Sequence, residues 1–519
     1  MNRSKFFKKI ADSIRGFLSS DHVSLTPFAE ALKTYDAGKA KHDARAALSV
    51  TMLSVSQAIA FAAIADLPVV YGVVCAAVAA IVAPFFAGSR HTMLGPTNAT
   101  AFMLFSFFAL NPEISARSRE LMPLLVLMVG MFAALGAIFR VADLLQYISR
   151  SVLVGYMSGA ATLIMANQLV SLLGVSKYVT GHTSSTFIGM LFGLASSITK
   201  TDWVSLLIGL TTAAIYLALK KWQPKWPAFA VALLIASVGF GSLIHFHIGP
   251  FGRVATFETF GFSELIPRPP NFIRPGIFSD ISALLGVALA ISFLASLENT
   301  LMAKTLASTT GDRADVNQDM LAVGMANMAS ALAGGMPASG SLTRSTLNLD
   351  AGARTRFASL FTGLYTLAAA ILIAASVGWG VPLISYVPKA ALAALVIALS
   401  VGLFNVKNIR ICLRSTRDDA VVLFITFIAT LLAPLHVAIF IGVAISITLF
   451  LRKASRPFLI EYEFNDDGEL RAVGEKKGRP IPAISIVHVE GDLFFGAADL
   501  FRTQIQRTVS DPAIQVIIL

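Results

Sequence analysis

Runs without a single Asp, Glu, Lys or Arg recur along this chain, at 46–65, 67–89, 121–139, 151–176, 226–252, 357–388 and 420–451. Each is about as long as, or longer than, the roughly 20 apolar residues that carry a helix across a hydrocarbon core. A soluble domain needs charge spread over its surface, and here only 14% of the residues are charged while 55% are hydrophobic. The fold class that follows is an α-helical polytopic membrane protein.

The net charge of +11 would suggest nucleic acid in a soluble protein. Here the basic residues sit between the apolar runs without an aromatic-basic surface, so no nucleic-acid partner is expected and the positive-inside rule accounts for them. Lys5, Lys8, Lys9, Arg15, Lys33, Lys39, Lys41 and Arg45 precede the first run, and Arg452, Lys453 and Arg456 follow the last. Both termini therefore read as cytoplasmic, with an even number of spans between them in a bacterial inner membrane. Residues 1–45 lack the apolar core and cleavage site of a signal peptide. Cys75 and Cys412 have no metal-type spacing. No metal, cofactor, nucleophile motif or phosphate loop is legible, so an enzyme is not expected.

Fourteen spans are expected, near 46–65, 69–87, 96–110, 121–139, 149–174, 203–219 and 227–246, then 280–303, 319–333, 341–350, 356–376, 389–405, 418–433 and 436–451. Pro434 divides the last long run into a hairpin, and 184–198 reads as a surface helix. The third and tenth spans are too short. Each follows a Gly/Pro-interrupted stretch, "HTMLGPTNAT" (91–100) and "GGMPASGSLT" (334–343). They hold the same ordinal place in two halves of seven, the pattern that points to the site of an inverted-repeat transporter. Pro96 and Pro337 disfavour helix, so the chain enters extended and then starts a half-helix with unpaired N–H groups and a positive dipole end. Two such ends facing each other make an anion site, and Arg344 adds a full positive charge. The alternative is a pair of capped kinks with Arg344 reaching toward the headgroups.

"VSQAIAFAAIADLPVVYG" (55–72), "GPTNAT" and "GSLTRSTLNLDAGART" (340–355) resemble the sulfate permease (SulP) family of anion transporters, which includes prestin and pendrin. The resemblance implies 7+7 inverted repeats like those of uracil permease. Spans 1–4 and 8–11 would form a core, spans 5–7 and 12–14 a gate, and the protein a homodimer in lipid moving by alternating access. It implies substrate contacts at Gln57 and Phe61 in the first span, Thr97, Asn98 and Ala99 at the first break, and Ser339, Gly340, Ser341 and Arg344 at the second. Glu298, in "ASLENTLMAK", falls on the family's acidic position, either as a structural partner of Arg344 or of backbone amides, or as a protonatable coupling group. The family's usual Ile-Pro-Gln is here Val55-Ser56-Gln57. Where sodium-coupled members carry a hydroxyl four residues after the acid, this chain has Met302, and a thioether is a poor ligand for a hard cation.

The tail resembles the start of a STAS domain. "AISIVHVEG" (483–491) alternates like a strand, 497–509 like an amphipathic helix, and "AIQVIIL" (513–519) reads as a buried strand. The expected domains are a cytoplasmic segment 1–45, a transport domain 46–451, a linker 452–480 and a partial STAS domain 481–519, truncated or completed by another chain. The function expected is secondary transport of a small anion: sulfate, bicarbonate, chloride or a dicarboxylate. A nucleobase permease on the same fold and a membrane anion sensor or scaffold are the alternatives.

Overall fold

The computed structural model describes residues 24, 27–145, 148–179, 187–223, 226–273 and 275–454, with 458–464, 470–472, 483–490, 501–503, 505–506, 509–510, 512 and 514–518. Most of the basic N-terminal segment, Lys225, Arg456 and much of 452–480 lie outside them. The chain forms two compact units, residues 1–442 and 443–519.

In the first half the long helices are α1 (Ala37–Ile64), α2 (Val69–Phe86), α3 (Asn98–Leu110), α4 (Ser118–Ile138), α5 (Arg150–Leu172), α6 (Trp203–Trp222) and α7 (Ala228–His245). In the second half they are α8 (Ile277–Thr310), α9 (Val316–Ala333), α10 (Leu342–Asp350), α11 (Phe357–Gly378), α12 (Lys389–Leu403), α13 (Arg417–Leu432) and α14 (Leu435–Ala454). A helix thus lies in every segment expected as a span. Among the described residues, ten helices are long and apolar enough to cross a membrane. Helices α3, α9, α10 and α13 do not meet that measure, being short or less apolar, and α12 meets it only together with the helix Val406–Ser415 that follows it. The helix Phe187–Ser197 has 11 residues, too few to cross.

Packing falls into two groups. Helix α9 runs along α4 and α2, and α11 along α2 and α1, while α5 packs on α12 and α13 and α6 on α7 and α12. Small residues let these backbones touch. A Cβ on Gly324 would lie 2.6 Å from the amide nitrogen of Ala134, and one on Gly130 2.8 Å from the carbonyl oxygen of Gly324. Such distances leave no room for a side chain, so these two glycines set the α4–α9 separation.

Two buried carboxylates fasten connecting loops to this first group by the same geometry. Asp319, at the start of α9, accepts from the consecutive N–H groups of Gly88 and Ser89, both at 2.9 Å, and from the Ser89 hydroxyl. Asp43, in the first turns of α1, accepts from the N–H groups of Arg354 (2.7 Å) and Thr355 (3.1 Å) and from the Thr355 hydroxyl. Both aspartates are fully buried. Buried carboxylates persist only where donors replace water; three donors meet that need at Asp319, and at Asp43 the Tyr35 hydroxyl (3.4 Å) adds a fourth. Arg356 links the two loops by donating to the carbonyls of Ala87 and Gly88.

In the second unit β3 (Phe458–Phe464), β4 (Leu470–Ala472), β5 (Ile484–Glu490) and β6 (Val516–Ile518) form one sheet in the order β4-β3-β5-β6. β3 is antiparallel to β4 and β5, and β6 runs parallel to β5 with Ile484 opposite Val516. Residues 501–503 and 505–506 are helical, between the two parallel strands. The stretch expected as a linker contributes β3 and β4.

Candidate anion site

The two Gly/Pro stretches meet as a two-residue antiparallel ladder. β1 (Leu94–Gly95) pairs with β2 (Ser339–Gly340), Leu94 opposite Gly340 and Gly95 opposite Ser339. From its end each strand turns into a helix. Thr97 caps α3, its hydroxyl accepting from Thr100 N–H in a reciprocal capping box, and Ser341 caps α10 by accepting from Arg344 N–H. The next donors in each first turn, the N–H groups of Asn98 and Ala99 and of Leu342 and Thr343, have no partner among the described residues. Two helix N-termini therefore start side by side with donors to spare, which is the arrangement that favours an anion.

The extended approach to β2 is buried, so its backbone groups need partners from elsewhere. Helix α9 supplies them. Asn327 Oδ1 accepts from Ala338 N–H (2.8 Å) while its Nδ2 donates to Ala338 O (3.0 Å), and the Ser330 hydroxyl donates to Met336 O (2.9 Å). Both are fully buried. Sequence reasoning passed over them, although a buried-type Asn and Ser in the charge-free stretch "GMANMASALAGG" were the available signal.

Arg344 is the bulkiest fully buried side chain among the described residues, 1% exposed. It reaches from α10 across to the first strand, where Nη2 donates to Pro96 O at 2.9 Å, while Nε and Nη1 are buried without a partner. The guanidinium lies flat against the backbone at Gly95, where a Cβ would come 3.0–3.2 Å from Nη1, Nη2 and Cζ. Opposite, Gly340 sits so close to α8 that a Cβ would meet Asn299 Oδ1 at 2.7 Å, Met302 Cε at 2.8 Å and Asn299 Cα at 2.9 Å.

Glu298 is half-buried on α8 and accepts from one hydroxyl of each arm, Ser339 (2.6 Å) and Thr97 (3.3 Å). Among the described residues no ion pair within 4 Å joins it to Arg344. Met302 takes part through sulfur, accepting from the Ser345 hydroxyl at 3.1 Å. Gln57 (3% exposed) and Phe61 (4%) are buried one turn apart on α1, and the Gln57 side-chain oxygen has no partner. Asn98 Oδ1 is likewise buried and unpartnered, and Ala99 is buried behind it in the first turn of α3. Three further polar groups of the same α8 turn, Ser296, Asn299 Oδ1 and Thr300, are also orphaned, as is the fully buried Tyr156 hydroxyl of α5. Unsatisfied buried polar atoms are rare and each asks for an occupant. No group of His, Cys, Asp or Glu suited to a metal occurs among the described residues.

A helical integral membrane protein with two broken, crossing arms is the class this architecture defines. The chain belongs to the sulfate permease family, which residues 41–426 match. It is 27% identical over 494 residues, 95% of this chain and 87% of the relative, to a putative sulfate transporter of Bacillus subtilis (strain 168). Its fold is that of the murine Solute Carrier 26 member A9 anion transporter in its inward-facing state, with a TM-score of 0.80 at 19% identity over 95% of this chain and 84% of that one. It also matches the transmembrane domain of a cyanobacterium bicarbonate transporter, BicA, with a TM-score of 0.64 at 18% identity over 80% of this chain and 98% of that one.

Proposed function

We propose that this protein is a secondary active transporter of small anions. The observation that carries the reading is Arg344, a fully buried cation with two unpartnered nitrogens beside two helix N-termini. A buried, unpaired charge costs several kcal/mol, and an anion seated between the arms removes that cost. Gln57, Phe61, Thr97, Asn98, Ala99, Ser339, Gly340, Ser341 and Arg344 form the substrate site, with Phe61 giving an apolar wall and the arms giving the donors.

The fourteen helices mark fourteen spans in two inverted repeats of seven, α3 and α10 each completed by the extended arm that precedes it. The group around α1–α4 and α8–α11 carries the site as a core, and α5–α7 with α12–α14 is the gate against which it moves. Both termini face the cytoplasm of a bacterial inner membrane, the protein is a homodimer, and the sheet formed within 458–519, which begins in the stretch expected as a linker, is part of a STAS domain. Support comes from the family membership and the charge distribution.

Glu298 couples transport to protons. Its carboxylate touches a hydroxyl of each arm, so its charge is felt by both, and an ionised Glu298 repels the anion that Arg344 attracts. Met302 is engaged with Ser345 and offers no hard ligand for sodium. The test is uptake into proteoliposomes from a panel of sulfate, bicarbonate, chloride and dicarboxylates. Stimulation by external acid that is lost in Glu298→Gln, with no effect of replacing sodium by choline, is expected. Sodium-dependent uptake, or full acid stimulation in the glutamine variant, overturns the coupling, and no uptake of any of these anions overturns the function.

A further inference from the structure

Between α12 and α13 lies a ten-residue helix, Val406–Ser415, with the sequence "VKNIRICLRS". At 1.5 Å per residue it is about 15 Å long, half of what a spanning helix must cover. Two parallel stripes run along it. Val406, Ile409 and Leu413 recur at i, i+3 and i+7, and Lys407, Arg410 and Arg414 repeat that spacing one residue on. Cys412, on the side away from the basic stripe, is buried, and the helix packs on α13 and α5. The stripes stay outside. Val406 is 63% and Leu413 53% exposed, and the three cations are exposed and in no ion pair among the described residues. Two more exposed arginines stand close by. Arg150 and Arg417 are the first residues of α5 and α13, where the positive helix end opposes a cation. Asp419 holds those two helix starts together by accepting from the hydroxyls of Ser149 (2.7 Å), Ser151 (3.1 Å) and Thr416 (2.9 Å). Five cations thus stand against two acids, Asp418 and Asp419. Water suits the basic stripe but not the apolar one, and hydrocarbon the reverse. The headgroup layer of a bilayer suits both.

We propose that the helix Val406–Ser415 lies in the membrane interface, where Lys407, Arg410 and Arg414 bind the headgroups of anionic phospholipids and Val406, Ile409 and Leu413 rest on the acyl chains. The excess of positive charge selects that partner over a zwitterionic lipid. The helix joins α12 to α13, two helices of the gate, so its headgroups pin the gate to one leaflet while the core moves past it. That consequence rests on the transport reading; the lipid binding does not.

The test is lipid selectivity measured at the helix itself. The full-length chain carrying a fluorophore on Leu413→Cys, its native Cys75 and Cys412 being buried, is reconstituted in phosphatidylcholine vesicles that hold a small share of acyl-brominated lipid. Bromine quenches only at contact. Brominated phosphatidylglycerol should quench at a far lower share than brominated phosphatidylcholine. Each Lys or Arg beside an acidic surface is worth about fivefold in affinity, so three give a preference on the order of a hundredfold at low salt, shrinking as salt rises. The preference should fall to a few-fold in Lys407→Gln/Arg410→Gln/Arg414→Gln and persist in Lys407→Arg/Arg410→Lys/Arg414→Lys. Equal quenching by the two lipids, or a preference that salt leaves unchanged, overturns headgroup recognition, and both are read without the glutamine variant. A preference that survives that variant overturns the assignment to these three residues. No quenching by either lipid overturns the interfacial placement and leaves an acidic protein segment, such as 461–469 of this chain, as the partner. Uptake is not measured, so the transport reading stands or falls separately.

Discussion

The two arms of the site are built to the same plan and put to different uses. Both run from a two-residue strand through a hydroxyl cap into a short helix. The first arm ends in a 13-residue helix, "NATAFMLFSFFAL", with no charge and most of its side chains buried. The second ends in a nine-residue helix that buries Arg344, Ser345 and Asn348. The first arm therefore contributes shape and a carbonyl, Pro96 O, while the second contributes the charge that uses it. Their approaches differ too. The loop before β1 is held by an acidic and a basic side chain, Asp319 and Arg356, and the segment before β2 by the amide and hydroxyl of Asn327 and Ser330. Symmetry of backbone does not require symmetry of electrostatics, and one full charge is enough for two helix ends.

That division of labour can be broken by unequal substitutions. Arg344→Glu should reduce uptake to background and Arg344→Gln should lower it roughly tenfold to a hundredfold, as for a lost charged hydrogen bond, whereas Asn98→Ala changes it by less than about threefold. Comparable losses in both arms would mean that the charge is not confined to the second. Asn327→Leu leaves the N–H and C=O of Ala338 buried and unpaired, at about 1–3 kcal/mol for each, and should lower the melting temperature more than any change in the first approach. Gly340→Ala drives a methyl into the backbone of Asn299 and should cost about 1–3 kcal/mol of stability. At Gly95 the positive φ of 158° strains any side chain and a Cβ would press on the guanidinium, so Gly95→Ala should lower both uptake and melting; unchanged uptake would argue that the guanidinium does not rest on this strand. The smallest effects are those of the caps. Thr97→Ala and Ser341→Ala should each destabilise by about 1 kcal/mol, but only Thr97→Ala, which frees Glu298 of a donor, should also alter how uptake responds to external pH.

The breaks themselves were readable because their causes are local: Pro96 and Pro337 disfavour helix where they stand, and the glycines beside them permit close approach. The partners were not readable. Nothing near Arg344 in sequence points to Pro96 O, and the pairing of Asn327 with Ala338 depends on how α9 turns back over the arm. Asp319 and Asp43 stand in the first turns of their helices with no nearby residue to mark a partner, and each closes on a loop more than 200 residues away. Span length was also an imperfect guide, since α3, α9, α10 and α13 are helices without meeting the length and hydropathy of a crossing segment.

The separation of the arms along the chain has a consequence for biogenesis. Pro96 and Arg344 lie 248 residues apart. At about 5–20 residues per second, the first arm waits roughly 10–50 s for the second to emerge. An unpaired carbonyl in lipid costs several kcal/mol, and a solitary arginine there is also expensive. The arm that must wait is the apolar one, and the arginine is made only once its acceptor is in place. The order of the two arms is thus part of the design: a circular permutant that synthesised β2–α10 first would leave Arg344 in the bilayer with no carbonyl to meet it, and insertion should fail more often although every contact of the finished protein is unchanged.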